Sequence, residues 1–257
     1  MKEKVEFKGS VILNPVPVVL ITSKNKEDKE NVFTVAWTGT VCTKPPMLSI
    51  SVRPERLSYE YIKETMEFTV NLPSSDMTRA VDYCGVRPGR KFDKIKEMNF
   101  TMVEGTNVDV PYINECPISI ECKVKSITPL GTHDLFIAEV VGSHVDKDLM
   151  DEKGKIHLEE ADLITYCHGE YFKMDTEALG KFGYSVAKKP IHKKESLGKK
   201  EVKAKVDNIE EKEGKQRDTS KKSFKKKSVK NNKNTKNKGK RNFSVTKNTK
   251  KLNSKVK

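Results

Sequence analysis

Short runs of apolar residues, some continuous and some alternating with polar residues, recur along residues 16–174. Successive side chains of a strand point to opposite faces of a sheet, so alternation with a period of two predicts β-strands. The last two long runs face each other across a turn at 130–134, which is typical of a hairpin. The predicted strands are 16–23, 34–43, 47–53, 67–73, 118–130, 131–146 and 161–174.

Three other segments have the features of helices. Residues 54–66 begin with a proline and place Tyr61 and Ile62 at helical spacing. Residues 74–86 begin with two serines that suit an N-cap, and 87–99 pass from a loop into a third helix. Many short strands with few helices indicate an antiparallel barrel with helices at its rim, in one domain. A Rossmann fold finds no support, because βαβ alternation and a GxGxxG sequence are both missing.

Charge divides the chain into two unlike parts. Residues 188–257 contain 27 Lys and Arg against 7 Asp and Glu, a net charge of +20. Residues 1–187 contain 23 basic and 29 acidic residues, a net charge of −6, so the total of +14 comes from the tail. The tail has two Phe, no Trp or Tyr, and long Lys, Asn and Ser runs. We therefore expect a folded domain over 1–187 and a disordered lysine-rich tail over 188–257.

Two roles are open for the tail: an electrostatic arm for nucleic acid or anionic membrane, or a solvated appendage that adds solubility. Lysine runs without interleaved aromatic residues lack base-reading chemistry, which favours the appendage. No apolar run has the length of a transmembrane segment, and the first residues do not resemble a signal peptide. The five cysteines include no CxxC pair, which favours reduced thiols packed in strands of a cytoplasmic protein.

A strand that runs directly into a helix carries a candidate anion site. Ser49, Ser51 and Arg53 alternate along this strand and point to one of its faces. A helix that begins near Glu55 would bring its free N–H groups and positive dipole end to the same place, and Ser58 would add a hydroxyl. The alternative is a half-solvated strand face with a surface ion pair at Arg53, and the spacing is equally compatible with it.

The preceding strand has small side chains at Thr38, Gly39 and Thr40. A planar ring can approach such a strand closely and meet its backbone N–H and C=O groups. Trp37 could pack on that ring, although a lone strand tryptophan is more often part of a core or of a dimer interface. The histidines form neither a catalytic triad nor a metal motif, so we expect no metal site and assign any chemistry to a bound cofactor.

Five motifs in a fixed order carry a family resemblance. They are N-x-x-T-V-A-W-T-G (31–39), P-P-x-L-S-I-S-V-R (45–53), E-F-x-V-N-L-P (67–73), K-F-D (91–93) and G-T-H-D-x-F-I-A-E-V (131–140). This series resembles the flavin reductase-like, FMN-binding split-barrel family, and within it the flavoredoxin branch. The resemblance covers nearly all of 1–187. It implies a mainly β fold, a six-stranded antiparallel split barrel with Greek-key connections and peripheral helices, that forms a homodimer with one FMN per subunit near the interface.

The resemblance also assigns residues to the flavin. The ring would lie on the backbone of three consecutive residues, Val35, Ala36 and Trp37. The ribityl chain and phosphate would be bound by residues of the two strands and of the helix that follows them: Thr38, Gly39, Thr40, Ser51, Val52, Arg53 and Ser58.

Four further positions match the family outside this region. Asn71 matches a residue beside the flavin, and Lys91 and Phe92 fall in a loop that closes over the cofactor in relatives. His133 matches a histidine that faces the nicotinamide side of the flavin in some relatives, which would make it a catalytic residue. The alternative for His133 is a polar residue of the hairpin turn.

The implied function is an oxidoreductase in which bound FMN passes hydride or electrons from NAD(P)H or a protein donor to an acceptor. Hydride transfer to a flavin depends on geometry more than on a proton relay, which agrees with the lack of a visible acid–base pair. Two alternatives remain open. One is an electron carrier that does not use nicotinamide nucleotides, and the other is a non-catalytic flavin-binding module whose basic tail binds nucleic acid or anionic membrane.

Overall fold

The computed structural model describes residues 2–187, and the predicted disordered tail lies outside the described residues. The α-helices in this part of the chain are α1 (Leu57–Thr65), α2 (Thr78–Val86) and α3 (Lys94–Glu97). The strands are β1 (Val16–Pro17), β2 (Val19–Lys24), β3 (Glu30–Val35), β4 (Thr38–Thr43), β5 (Pro46–Val52), β6 (Glu67–Leu72), β7 (Met102–Val103), β8 (Tyr112–Ile113), β9 (Ile118–Pro129), β10 (Asp134–Val145), β11 (Ile164–Cys167) and β12 (Glu170–Lys173).

Seven strands form one antiparallel sheet in the order β3-β2-β6-β9-β10-β5-β4. The strands at the two ends of this order, β3 and β4, are consecutive in the chain and are separated only by Ala36 and Trp37. The N–H of Ser51 donates to the carbonyl of Trp37 at 2.9 Å, so the pairing of β4 with β5 continues up to this point. The chain from β3 to β4 is therefore one bent strand that closes the sheet, which confirms the predicted six-stranded barrel.

The bent strand differs in detail from the single strand predicted at 34–43. The polar residues ahead of it reverse the chain within Asn25–Lys29, where the side chain of Asn25 accepts hydrogen bonds from the N–H groups of Glu27 and Lys29. Such a turn needs few residues, so β3 already begins at Glu30. The predicted strand therefore starts too late and does not include the division at the bend.

The hairpin predicted near 130–134 is confirmed. Strands β9 and β10 pair along their length, and the N–H of Leu130 donates to the carbonyl of His133 at 2.9 Å. The strand predicted at 161–174 is wrong, because this segment is a second hairpin of β11 and β12. It reverses at His168 and Gly169, which both have positive φ, and it pairs with β1 outside the barrel.

Strand β2 separates two layers of hydrophobic core. Every residue of β2 is buried, because Val19 and Ile21 pack inside the barrel while Leu20 packs in a second cluster outside it. The barrel interior contains Phe68 and Phe136, both without exposed surface. The outer cluster holds α2 and β11 against the barrel. Burial on both faces explains why this strand is a continuous apolar run in the sequence.

Helix α1 begins three residues later than the prediction of 54–66. The N–H of Arg56 donates to the carbonyl of Arg53 at 3.0 Å in a turn, and Arg56 is the N-cap residue. The free amide groups of α1 are therefore those of Leu57 and Ser58, beyond Glu55. The helix predicted at 74–86 is confirmed, with a 3-10 turn over Ser75–Met77 ahead of α2.

All five cysteines carry free thiols. Burial raises the pKa of Cys84 to about 11 and that of Cys122 to about 12, so both are protonated packing groups at neutral pH. The prediction that all five pack in strands is wrong for Cys84, which lies on α2, and for Cys116, which lies in the loop before β9. No helix within residues 2–187 combines the length and the apolar content needed to cross a bilayer.

Candidate functional site

Three adjoining cavities form a series, and the innermost of them lies at the bend between β3 and β4. The inner cavity, about 140 Å³, is lined by the bend, the end of β5 and the β9–β10 turn. The middle cavity, about 240 Å³, lies at the N-terminus of α1 and shares Phe33 and Arg56 with the inner one. The outer cavity, about 550 Å³, lies between the β2–β3 turn, α1 and residues 89–96. It shares Arg90 and Lys94 with the middle cavity.

The bend that closes the barrel is also the wall of the inner cavity. Val35, Ala36 and Trp37 line it together with Ser51 and Val52 of the adjacent β5. Trp37 is 39 % exposed, so the interpretation of a core tryptophan is wrong. Thr34, Ala36 and Ser51 contribute small side chains to this wall, which suits the close approach of a planar ring.

Arg53 directly follows β5 and forms the ion pair that was one of its two predicted roles. It lines the inner cavity, and its Nε lies 2.7 Å from Oε1 of Glu55 in a half-exposed ion pair. Because α1 begins only after Arg56, Arg53 lies at the inner cavity and not among the lining residues of the middle one.

His133 lies in the β9–β10 turn and lines the inner cavity. Its Nδ1 is 2.9 Å from Oγ1 of Thr132. The next residue, Asp134, accepts a hydrogen bond from the hydroxyl of Tyr59 at 2.7 Å, and this bond joins the turn to α1. His133 is therefore a turn residue whose position at the cavity also suits the role implied by the family.

Basic side chains line the middle cavity at the start of α1. No side chain caps this helix, so its first N–H groups remain available to a ligand. The guanidinium of Arg87 lies between the rings of Tyr83 and Phe92, 5.6 and 4.8 Å from their centroids, which restricts its motion. Arg56 and Arg90 also line the cavity. Arginines at an open helix N-terminus form a site suited to phosphate.

Lys94 is a buried cation in the wall between the middle and outer cavities. It is 2 % exposed, and its Nζ donates to the carbonyl of Cys84 at 3.2 Å. An ammonium has three N–H donors, and no carboxylate of residues 2–187 forms an ion pair with this one. Burial lowers the pKa of Lys94 to about 8, because the charged form lacks water and a countercharge. An anion in the middle cavity would supply that countercharge.

Polar contacts hold the first turn of α1 against β2 and β3. The hydroxyl of Ser58, which has no exposed surface, lies 2.7 Å from Oγ of Ser23 and 2.7 Å from Nδ2 of Asn31. Gly89 approaches the other side of Asn31 so closely that a Cβ at this position would lie 2.3 Å from Oδ1. A glycine is therefore required for the loop to reach this position.

Ten of the fourteen residues predicted at the site line these cavities. Ser58 lines the middle cavity, and Lys91 and Phe92 line the outer one. The inner cavity has seven of them: Val35, Ala36, Trp37, Ser51, Val52, Arg53 and His133.

Three predicted residues, Thr38, Gly39 and Thr40, lie beyond the bend on β4. The hydroxyl of Thr38 donates to the carbonyl of Ser49 at 2.8 Å, and Thr40 is exposed. These residues do not line the cavities, because β4 runs away from the bend along β5.

Asn71 on β6, the remaining predicted residue, does not line the three cavities. It is fully buried, and its Nδ2 donates to the carbonyl of Leu20 at 3.1 Å. Its Oδ1 accepts from the N–H of Ile113 at 2.9 Å and from the hydroxyl of Ser119 at 2.8 Å. The amide is thus used to join β6 to its neighbours, which leaves little hydrogen-bonding capacity for a ligand.

The sequence analysis missed most of the middle cavity, including the five residues that offer hydrogen-bond donors to an anion. They are Asn31, Arg56, Arg87, Arg90 and Lys94. A signal for most of them was present, because RPGRKFDK (87–94) places four basic residues and a glycine within eight positions ahead of a helix. Clustered arginines beside a glycine are typical of phosphate binding.

Comparison with known proteins places this geometry in a family. The model of the flavin reductase like domain matches residues 13–175, and the chain belongs to this family. An uncharacterized protein of Pyrococcus abyssi is 32 % identical over 152 residues, which are 59 % of this chain and 86 % of that protein.

Two solved structures have the same fold. The flavoredoxin of Desulfovibrio vulgaris (Miyazaki F) superposes with a TM-score of 0.67 and 27 % identity, over 72 % of this chain and 100 % of that chain. Nitrilotriacetate monooxygenase component B from Bacillus cereus superposes with a TM-score of 0.61 and 28 % identity, over 66 % of this chain and 88 % of that chain. The split-barrel fold and the flavoprotein class predicted from the sequence are thereby confirmed.

Proposed function

We propose that the chain is an FMN-dependent oxidoreductase. The observation that carries the proposal is the buried ammonium of Lys94, which has a carbonyl as partner and no countercharge within residues 2–187. A phosphate monoester in the middle cavity would supply that charge. FMN combines such a phosphate with a planar ring, and the inner cavity beside it has the wall that a ring requires. The residues present therefore fit this cofactor.

The proposed roles follow from the two cavities. Arg56, Arg87, Arg90 and Lys94 bind the phosphate together with the N-terminus of α1. The backbone at 35–37 orients the ring and excludes water from one of its faces. When bound, the flavin supplies the redox chemistry by accepting and releasing hydride or electrons.

The proposal includes a homodimer. The inner cavity of one chain, about 140 Å³, is smaller than the roughly 300–1,000 Å³ of typical ligand pockets. One chain would therefore cover only part of the ring. Trp37 and Val41, 39 % and 51 % exposed, lie at and just beyond the bend, where a second copy would bury them. Light scattering should give a mass of two chains, and a monomer at all concentrations would contradict the dimer.

The cofactor is tested by titration. The purified full chain should either carry a yellow flavin or quench the fluorescence of added FMN with a stoichiometry of one per chain. Released flavin, identified by chromatography, should be FMN. A colourless protein that does not bind added FMN would overturn the proposed function.

The electron donor is tested separately. The two solved relatives are a flavoredoxin and a monooxygenase component, so we propose either NAD(P)H or a protein as donor. Oxidation of NADH or NADPH by the FMN-loaded chain, followed at 340 nm with an excess of free FMN, identifies a reductase. Anaerobic bleaching of the flavin by a reduced carrier protein but not by NAD(P)H identifies an electron carrier.

The non-catalytic alternative makes the tail the working part. A chain truncated after Ala187 should bind FMN and turn over like the full chain. Salt-dependent binding of labelled RNA by the full chain and not by the truncated one, without any turnover in either, would favour the alternative.

A further inference from the structure

Tyr59, in the first turn of α1, contacts the start of β10 with both its hydroxyl and its ring. The hydroxyl donates to Oδ2 of Asp134 at 2.7 Å. The ring lies edge-to-face on Phe136, with the ring centroids 5.5 Å apart. Asp134 and Phe136 are two positions apart on a strand and so share one face of β10. Tyr59 is therefore held at two points of the same face, which fixes the direction of its hydroxyl.

Asp134 is a buried carboxylate beside the inner cavity. It is 8 % exposed, and its backbone pairs with Val52, which lines that cavity. Within residues 2–187, Tyr59 is the one side chain that donates a hydrogen bond to this carboxylate. An unpaired buried carboxylate is costly, so the bond strongly favours one position of the start of β10 relative to α1.

The turn of residues 130–133, here called the His133 turn, precedes Asp134 directly. Leu130, Gly131 and Thr132 are exposed. The bond from the N–H of Leu130 to the carbonyl of His133 and the contact of Thr132 with the His133 ring both lie inside the turn. For residues 130–134 within the described domain, the bond of Asp134 to Tyr59 is the one side-chain hydrogen bond to another element. The location of the turn relative to α1 therefore depends on it.

The start of α1 is also the phosphate end of the proposed flavin site. Arg56, Leu57 and Ser58 line the middle cavity, and Tyr59 directly follows them. An anion bound to the free N–H groups of this turn restricts the fraying of the helix end. The same anion would restrict Tyr59, and with it the His133 turn.

We propose that Tyr59 and Asp134 are positioning residues that connect the phosphate end of the flavin site to the His133 turn. A flavin with a phosphate orders the start of α1, and the bond between the two residues extends this order to the turn. Riboflavin lacks the phosphate and binds without this effect. The proposal rests on the proposed function, in that the phosphate of FMN occupies the middle cavity.

The test is amide hydrogen exchange of the full chain, followed by mass spectrometry of the segment 128–136. Tyr59→Phe removes the hydroxyl and keeps the ring against Phe136, and Asp134→Ala removes the acceptor. Asp134→Asn keeps a carbonyl oxygen for the hydroxyl and is the conservative variant. Tyr61→Phe is the matched control, because Tyr61 lies on the same helix and lines the outer cavity.

Without ligand, exchange within 128–136 should be about tenfold faster in Tyr59→Phe and in Asp134→Ala, as expected for the loss of one hydrogen bond to a charged group. Asp134→Asn and Tyr61→Phe should change it by less than about threefold. At saturation, FMN should slow this exchange more than riboflavin does in the wild type. In Tyr59→Phe both flavins should slow it equally, while FMN still protects the start of α1.

Equal exchange of 128–136 in wild type, Tyr59→Phe and Asp134→Ala would overturn the proposal. A rise of the same size in β6 would also overturn it, because it would indicate a general loss of stability. Equal protection of the wild-type turn by FMN and riboflavin would contradict the connection to the phosphate. If FMN does not bind at all, faster exchange in the two ligand-free variants still supports the positioning of the turn, and the failure is that of the proposed function.

Discussion

Two buried charges of this domain have opposite surroundings. Glu121 on β9 has no exposed surface, and its carboxylate accepts four hydrogen bonds, at 2.5–3.0 Å, from Thr106, Asn107 and His144. Burial opposes its charge, but the hydrogen bonds hold its pKa below the usual value. Gly142 makes this approach possible, because a Cβ there would lie 2.5 Å from the carboxylate.

Lys94 is almost equally buried but has only the carbonyl of Cys84 as partner. Its pKa is displaced toward the neutral form, whereas that of Glu121 is displaced toward the charged form. Protein groups alone thus complete the environment of Glu121, and they leave that of Lys94 incomplete. A buried charge whose hydrogen bonds are all made within the protein stabilises the fold. A buried charge beside a cavity that has no countercharge indicates a ligand.

The largest expected effect is the loss of stability when the carboxylate of Glu121 is removed. Glu121→Ala removes the buried carboxylate that accepts four hydrogen bonds and should lower the free energy of unfolding by about 3–5 kcal/mol. Urea denaturation followed by circular dichroism measures it. Glu139→Ala is the control, because Glu139 on β10 forms a partly exposed ion pair with Lys125 at 2.6 Å and should cost at most about 1 kcal/mol. Equal small losses for both variants would show that Glu121 has no special structural role.

Removing the charge of Lys94 should lower the affinity for FMN without lowering the stability of the fold. Lys94→Met replaces the ammonium by an apolar side chain of similar length, so the free energy of unfolding should stay the same or rise. The affinity for FMN should fall by about 10- to 100-fold, the range expected for one hydrogen bond to a charged group. Riboflavin, which lacks the phosphate, should bind the variant and the wild type equally.

The control for this variant is Lys96→Met, an exposed lysine two residues further along α3. It should change the FMN affinity by less than a factor of about 3, as expected for a screened surface charge. If Lys94→Met lost much stability but bound FMN and riboflavin with an unchanged ratio of affinities, Lys94 would have a structural role like that of Glu121.

The pH dependence of binding should distinguish the two charges further. A phosphate favours protonated Lys94, and the ligand-free pKa is about 8. Above pH 8, FMN binding therefore requires uptake of a proton, and the affinity falls as the pH rises. Between pH 7.5 and 9.5 the ratio of FMN to riboflavin affinity should drop by about tenfold in the wild type and stay constant in Lys94→Met. A constant ratio in the wild type would contradict contact between Lys94 and the phosphate.

The smallest effects should separate two arginines that the sequence does not distinguish. Arg56 lines the middle cavity, whereas Arg53 lines only the inner one. Arg56→Ala should weaken FMN about fivefold relative to riboflavin, a typical value for a partly exposed charge pair. Arg53→Ala should weaken both flavins to the same extent. If Arg53→Ala weakened FMN more than riboflavin, the phosphate would instead bind near Arg53, at the end of β5.

The sequence is informative about the fold because the barrel depends on local patterns. Alternation along 47–53 predicts β5 correctly, with Leu48, Ile50 and Val52 buried and Ser49 and Ser51 turned outward. The hairpin is also local, since its turn needs only four residues between β9 and β10. The hairpin of β11 and β12 was missed, although Gly169 is a turn signal in the two-residue loop where His168 and Gly169 both adopt a positive φ.

The candidate site was predicted in part. Motifs placed 35–37 and 51–53 at one cavity, because these segments pair directly at the end of the barrel. Lys94 could not be assigned in this way, since its cavity is completed by Asn31 and the start of α1, which are distant in the sequence. The hydrogen bonds of Asn71 could not be predicted for the same reason, because its partners come from β2, β8 and β9.

The bend at Ala36–Trp37 also affects the order in which the barrel is expected to fold. Strands β2, β3, β4 and β5 form an uninterrupted meander, so the seam of the barrel closes between segments that are neighbours in the chain. Loop closure over short distances is fast, whereas the pairing of β5 with β10 must bring together residues that lie more than eighty positions apart. Most of the inner cavity wall is encoded within 33–53. We therefore expect this wall to form early, before the long hairpin docks and brings His133 to the cavity.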